Sequence, residues 1–143
     1  MALVGRRMEA GPPSYTYGQQ VVAAVLMGEA WGEGEKAMTA VAEVIRLRAD
    51  RAGISPLAAV LRPKQFTCLN RTTPEALIRR YHGERDFRKA LEIARRMYNQ
   101  PETLPGYSRG ATHFERLGTR AYWTEGHSPV AVVGRLAFYR LAR

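Results

Sequence analysis

The sequence predicts an α+β fold: a mainly helical domain followed by a small β-hairpin region near the C-terminal end. Apolar residues recur at helical spacing, between helix caps, from about residue 18 to residue 99. After Pro105-Gly106 the chain changes to short aromatic and β-branched runs separated by glycine turns. Because the chain has 143 residues and no repeat, we predict a single domain over residues 1–143, in which residues 1–14 are a flexible lead-in.

The helical part is predicted from apolar spacing and cap signals. The first helix is apolar nearly all round, which is typical of a central, buried helix. The second carries Arg48 on the same stripe as its apolar residues. Ser55-Pro56 and Thr73-Pro74 each combine an N-cap with proline at the first helical position. Residues 64–70 are predicted to be extended or irregular. The predicted helices cover about residues 18–30, 35–51, 55–61, 73–81 and 84–99.

The C-terminal part is predicted to contain short strands. Residues 111–115 and 120–124 are predicted to pair as a hairpin around Leu117-Gly118. Residues 130–134 and 136–139 are predicted to add one or two strands, or one strand followed by coil.

Composition limits the classes of function. Cys68 is the only cysteine, so no intramolecular disulfide forms, and its apolar neighbours favour a small core residue over a nucleophile paired with His113. His82, His113 and His127 lie far apart without a metal-binding spacing, so we predict no metal and no cofactor. No segment reaches the roughly 20 apolar residues that a membrane span needs. The net charge of +9, with 19 arginines, favours an acidic partner.

Three carboxylates lie where the first two helices meet: Glu29, Glu33 and Glu35. A carboxyl group held against apolar surface is favoured in its protonated form, in which it can donate a proton to a glycosidic oxygen. Glu29 follows Leu26-Met27 and precedes Trp31, which places it for this role, although a helix-end Glu is more often exposed or salt-bridged. Glu33 is either a second carboxylate, a structural partner, or an N-terminal charge for the second helix; the structural roles are favoured.

Three segments carry a resemblance to a known family. Residues 28–34, Gly-Glu-Ala-Trp-Gly-Glu-Gly, resemble the G-E-A-x-G-E segment of the SleB-like cell-wall hydrolases, the family of spore cortex-lytic enzymes. Residues 65–68, Gln-Phe-Thr-Cys, are similar to its Q-F-S-C element, and residues 110–114, Gly-Ala-Thr-His-Phe, with Trp123 and residues 134–139, are similar to its closing elements. The resemblance covers about residues 21–140. The sequence departs from the family pattern at Trp31, Leu69 and Arg135.

The resemblance implies a fold like a small lysozyme or lytic transglycosylase domain. It also implies cleavage of peptidoglycan between N-acetylmuramic acid and N-acetylglucosamine, with Glu29 as general acid and base. One carboxyl group suffices for lytic cleavage, because it protonates the leaving oxygen and then takes the proton of the muramyl C6 hydroxyl. Aromatic faces for stacking and polar groups for hydrogen bonds give the candidate substrate-binding residues, each of which has a structural alternative: Trp31, Glu33, Gln65, Thr112, His113, Tyr122 and Trp123.

The predicted function is therefore a peptidoglycan-cleaving glycosidase, either a muramidase or a lytic transglycosylase. Its partners are glycan strands and, through the basic surface, anionic wall polymers. Because the N-terminus lacks the apolar region of a secretory signal, we expect synthesis in the cytoplasm and action on the wall as a phage or virion-associated lysin, or a domain cut from a longer precursor. Spore germination is a less natural setting. The alternative is a non-enzymatic basic module that binds wall polymer or nucleic acid.

Overall fold

The computed structural model describes residues 14–119 and 121–141, with only the backbone of Tyr122. Most of the predicted lead-in, residues 1–13, lies outside these ranges. The described chain contains five α-helices and a three-stranded antiparallel sheet, which confirms the mainly helical α+β class. The helices are α1 Tyr17–Ala30, α2 Glu35–Ala52, α3 Pro56–Leu61, α4 Pro74–Tyr81 and α5 Arg85–Asn99, and the strands are β1 His113–Arg116, β2 Ala131–Val133 and β3 Leu136–Tyr139.

Helix α1 is the centre of the fold. Every residue from Val21 to Met27 is buried, and the other four helices pack around this helix. A capping box begins it, in which the Thr16 hydroxyl accepts from the Gln19 amide and the Gln19 side chain accepts from the Thr16 amide. Because α1 is apolar on all sides, its last turn emerges from the core only at Gly28 and Glu29.

The sequence signals that predicted the remaining helices correspond to real caps. Ser55 Oγ accepts from the Ala58 amide and Thr73 Oγ1 accepts from the Ala76 amide. Gly53 ends α2 in the left-handed conformation, at a φ of 69°. Between α3 and α4, the predicted irregular segment contains one 3-10 turn, Thr67–Leu69. None of the helices in the described ranges is long and apolar enough to cross a membrane.

The predicted hairpin of residues 111–115 and 120–124 is wrong. β1 pairs with β3 instead, in register Phe114 with Phe138, and β2 pairs with the other edge of β3. Tyr122–Thr124 is a 3-10 turn, and Arg120 lies outside the described residues. Trp123 contacts the sheet through its ring, edge-on to Tyr139 at 5.6 Å between centroids. Side-chain packing has therefore replaced the expected backbone pairing.

The strands of the actual hairpin are β2 and β3, the two that the sequence left open. Gly134 turns between them at a φ of 59°, and β3 is the buried central strand. This small sheet lies beyond the C-terminal end of α1, so a cleft opens between the helical part and β1.

Candidate active site

The cleft has a volume of about 570 Å³ and contains four of the predicted site residues: Glu29, Gln65, His113 and Trp123. Its wall is formed by the last turn of α1, the segment before the Thr67–Leu69 turn, and β1 with the chain that follows it. Ionisable side chains line it in addition to Glu29 and His113, and these are Arg48, Lys64, Glu115 and Arg116. Cations therefore outnumber carboxylates in the cleft.

Glu29 is half-buried at the end of α1 and faces this cleft. Its Oε2 accepts from the Cys68 amide at 3.3 Å and from the Thr67 hydroxyl at 3.4 Å, both long contacts. Gly28 makes the contact possible, because a Cβ there would lie 2.6 Å from Cys68 Cβ and 2.9 Å from its Sγ. The 3-10 turn thus lies directly against α1 and holds the carboxylate from one side.

Cys68 is a structural neighbour of Glu29. Burial raises the pKa of the Cys68 thiol, and the negative charge and hydrogen bonding of Glu29 raise it further. The thiol therefore stays protonated at neutral pH and lacks the thiolate that nucleophilic catalysis requires. This agrees with the sequence-based preference for a small core residue.

Arg48 is a cleft residue that the site prediction missed. Its Nε donates to the Thr112 carbonyl at 2.7 Å and its Nη1 to Gln65 Oε1 at 3.3 Å, while the guanidinium lies over the Phe66 ring. Burial lowers the pKa of Arg48, and the Glu29 carboxylate partly offsets this. The available signal was a basic residue on the apolar stripe of α2. A charged residue in such a position typically makes its hydrogen bonds inside the fold.

Thr112 and His113 act as a pair. The Thr112 side chain is 3% exposed, and its Oγ1 lies 2.7 Å from His113 Nδ1. That oxygen already accepts from the Leu141 amide at 3.0 Å. The other acceptor for its proton among the described residues, the Tyr139 carbonyl, is 3.4 Å away. This favours a hydroxyl that donates to Nδ1, which leaves His113 Nε2 as a donor. Thr112 is therefore a positioning residue for His113 and has no free surface for a sugar.

The electrostatic surroundings keep His113 neutral. Burial lowers the pKa of His113, and the positive charge of Arg48 lowers it further. The Trp123 ring packs against the His113 ring in a tilted arrangement, with 5.3 Å between centroids and 47° between the planes. The cleft thus has an imidazole that donates without charge, beside a large aromatic side chain.

The other predicted aromatic residues do not join this group in the described structure. Trp31 is 48% exposed, packs edge-on against Tyr81 at 5.9 Å between centroids, and does not line the cleft. The side chain of Tyr122 lies outside the described residues. Trp123 is therefore the stacking surface that the structure offers beside Glu29.

Glu33 is bound within the fold. Its Oε1 accepts from the Arg135 amide at 2.8 Å, its Oε2 lies 3.3 Å from Arg116 Nη1, and its side chain is 13% exposed. Gly134 leaves room for it, because a Cβ there would lie 2.7 Å from Glu33 Oε1. Glu33 thus ties the α1–α2 junction to the β2–β3 turn, which is the structural role that the sequence favoured.

Glu115, rather than Glu33, is the second carboxylate of the cleft. Its Oε1 accepts from the Ala121 amide at 3.3 Å and its Oε2 from the Tyr139 hydroxyl at 3.4 Å. The sequence held a signal for it, because residues 113 and 115 share one face of a strand. Among the described side chains, no three of the His, Cys, Asp and Glu type come together as a metal site would require.

The comparisons with known proteins agree with the resemblance. The cell wall hydrolase family matches residues 32–139, most of the chain. The matched range begins after Glu29, so it does not bear on that residue. No curated protein and no solved structure gave a match. The chain therefore belongs to the cell wall hydrolase family, the SleB-like family to which its motifs pointed, and its substrate class is peptidoglycan.

Proposed function

We propose that the protein cleaves the glycosidic bond between N-acetylmuramic acid and N-acetylglucosamine, with Glu29 as general acid and base. One observation carries the proposal: a half-buried carboxyl at the end of a buried helix faces a cleft. That cleft also contains the groups that bind sugars elsewhere, an aromatic face at Trp123 and polar donors at His113 and Gln65.

The lytic reaction needs only this carboxyl group. Glu29 donates a proton to the glycosidic oxygen while the bond from that oxygen to the muramyl C1 breaks, which leaves positive charge at C1. The resulting carboxylate takes the proton of the muramyl C6 hydroxyl, and O6 attacks C1 to close the anhydro ring. The proton returns to Glu29, and no water is consumed.

The neighbours of Glu29 support the second half of this cycle. Between the two proton transfers the residue is a carboxylate, and the Cys68 amide and the Thr67 hydroxyl donate hydrogen bonds to it, with the positive charge of Arg48 close by. His113 Nε2 is free to donate to an N-acetyl or hydroxyl oxygen without bringing a second positive charge to C1. Trp123 offers its ring for stacking.

Glu115 supports a second candidate reaction, hydrolysis. A carboxylate in the same cleft can activate a water molecule, as in glycosidases that use two carboxyl groups. The products separate the two reactions, because lytic cleavage leaves anhydro-muramyl ends and hydrolysis leaves reducing ends.

The decisive experiment compares Glu29→Gln with a matched exposed variant, Glu35→Gln, on purified sacculi. Released fragments are identified by mass spectrometry, and circular dichroism checks the fold. General acid–base catalysis typically contributes about 10²–10⁴-fold, so Glu29→Gln should lose activity on that scale while Glu35→Gln retains it. Full activity of Glu29→Gln would refute the assignment.

A Glu115→Gln variant then assigns the reaction. If the wild type releases anhydro ends, this variant should keep most of its activity. If the wild type releases reducing ends, Glu115→Gln should lose activity, as Glu29→Gln does.

The net charge of +9 supports adsorption to anionic wall polymers. Adsorption of the protein to sacculi should then weaken as salt rises, since screening shortens the range of these attractions. Adsorption that does not change with salt would refute this part of the proposal.

A further inference from the structure

A second cavity, of about 660 Å³, opens beside the catalytic cleft. We name it the arginine arm, because its charged lining residues are Arg48, Arg51 and Arg62, and no Asp or Glu lines it. Gln65 and His113, like Arg48, line both the arm and the cleft. The arm and the cleft are therefore adjacent, and a group that branches from a ligand in the cleft lies close to the arm.

Two of the three arginines are available to a ligand. Arg48 and Arg51 lie three positions apart on α2, one helical turn, and Arg62 follows the last residue of α3. The side chains of Arg51 and Arg62 are exposed, and neither makes a hydrogen bond or ion pair with any residue that the structure describes.

Other arginines of the helical part are paired with carboxylates. Arg46 of α2 pairs with Asp50 at 3.0 Å, and Arg95 of α5 pairs with Glu92 at 2.6 Å. The arm thus gathers positive charge that its own lining does not neutralise. Like charges on neighbouring helical positions repel one another, so a bound anion stabilises this arrangement.

We propose that the arginine arm binds the carboxylates of the peptide stem carried by the muramyl residue. The proposal rests on the proposed function, since it takes the glycan strand to lie in the cleft at Glu29. Each stem leaves the strand through the lactyl group of N-acetylmuramic acid and carries free carboxylates. Guanidinium groups match carboxylates in geometry as well as in charge, and the volume of the arm lies within the roughly 300–1,000 Å³ of ligand pockets.

The test uses soluble, uncrosslinked glycan strands with their stems, and the same strands stripped of peptide by an amidase. The double variant Arg51→Gln/Arg62→Gln is compared with Arg85→Gln/Arg88→Gln, an exposed pair on α5 with the same loss of charge that lines neither cavity. All rates are measured at one ionic strength, and circular dichroism verifies the folds.

If the arginine arm binds the stem, the wild type should cleave stem-bearing strands more efficiently than stripped strands, and this preference should depend on Arg51 and Arg62. Because two solvent-exposed charge contacts are lost, the first double variant should lose about tenfold in kcat/KM on stem-bearing strands, mainly through KM. On stripped strands it should match the wild type within about twofold, and the α5 pair should match it on both. An equal loss on both substrates, or no loss on either, would overturn the proposal.

A binding measurement separates this proposal from the proposed function. If the wild type cleaves neither kind of strand, retention of each kind on immobilised protein is measured. Stem-dependent retention that disappears in Arg51→Gln/Arg62→Gln would support stem binding by the arginine arm even though the proposed glycosidase activity had failed. Retention that does not depend on the stem, or does not depend on these two arginines, would overturn the proposal of stem binding as well.

Discussion

Gly28→Ala should damage the candidate site through a single added methyl group. The new Cβ would lie 2.6 Å from Cys68 Cβ, about 1 Å short of an ordinary carbon contact of 3.5–4.0 Å. Because α1 is fixed in the core, the Thr67–Leu69 turn has to move. Overpacking of this kind typically costs about 1–3 kcal/mol, which lowers the Tm of a chain this size by about 3–10 °C.

The same displacement of the Thr67–Leu69 turn should also reduce the rate of cleavage. The turn carries both donors to Glu29 Oε2, the Cys68 amide and the Thr67 hydroxyl. Misplacement of a catalytic group by about 1 Å can cost about 100-fold in rate. We therefore expect Gly28→Ala to fold, to melt earlier, and to release fragments from sacculi about 100-fold more slowly.

Two controls decide whether the close approach of residues 28 and 68 causes the loss of Tm and activity. At Gly83 an added Cβ meets nothing within 4 Å, so Gly83→Ala should change neither Tm nor activity by much. In a Cys68→Gly background, which removes both clashing atoms, Gly28→Ala should cost clearly less than in the wild type. An equal cost in both backgrounds, or a fully active Gly28→Ala, would refute the reasoning.

Three further predictions concern charged and titrating groups, two in the site and one, Glu43, outside it. Arg48→Met should lower kcat/KM on sacculi by about tenfold, since it removes a charge-assisted hydrogen bond to the Thr112 carbonyl; unchanged kinetics would exclude a role for Arg48. Glu43→Gln should lower the free energy of unfolding in urea by about 1.5–3 kcal/mol, because its carboxylate accepts from the Ser108 amide and hydroxyl at 2.8 Å each; a change below about 0.5 kcal/mol would contradict this. Burial and Arg48 lower the pKa of His113, so the unfolded chain binds its proton more readily, and stability should fall as the pH drops below the unfolded value of 6.5. His113→Gln should flatten that part of the stability profile, and an unaltered profile would contradict the assignment.

The helices were predictable because their signals are local. Caps such as Ser55 and Thr73, and the apolar run that forms α1, act within a few residues of the element that they define. Strand pairing is not local. Residues 113–116 pair with β3, 20 or more residues away along the chain, where Phe114 is opposite the buried Phe138. The sequence contains both candidate partners, and only burial of the central strand decides between them.

The site was predictable only in part for the same reason. Glu29 could be selected, because an acid at the end of an apolar helix is a local anomaly. Arg48 and Glu115 carried weaker signals, an apolar stripe in one case and a strand face shared with His113 in the other. Their roles depend on which segments meet across the cleft, which these signals do not reveal. For Glu33 the sequence left a second carboxylate open but favoured a structural role, and its hydrogen bonds with the Arg135 amide and the Arg116 side chain are structural.

The small sheet depends on the helical part for its position. Strands of three or four residues are marginal alone, yet three charged side chains from the helical side bind backbone groups on the β side. Glu33 accepts from the Arg135 amide, Arg48 donates to the Thr112 carbonyl, and Glu43 accepts from the amides of residues 106, 107 and 108. The cleft lies between the two parts joined by these clamps. Leu136 and Phe138 of the sheet also pack in the same apolar core as the helices, so the clamps and the apolar packing together set the width of the cleft. Weakening a clamp far from Glu29, as in Glu43→Gln, should therefore raise KM for glycan strands as well as lower the free energy of unfolding. A Glu43→Gln variant that is destabilised but has an unchanged KM would show that the cleft keeps its shape without this clamp.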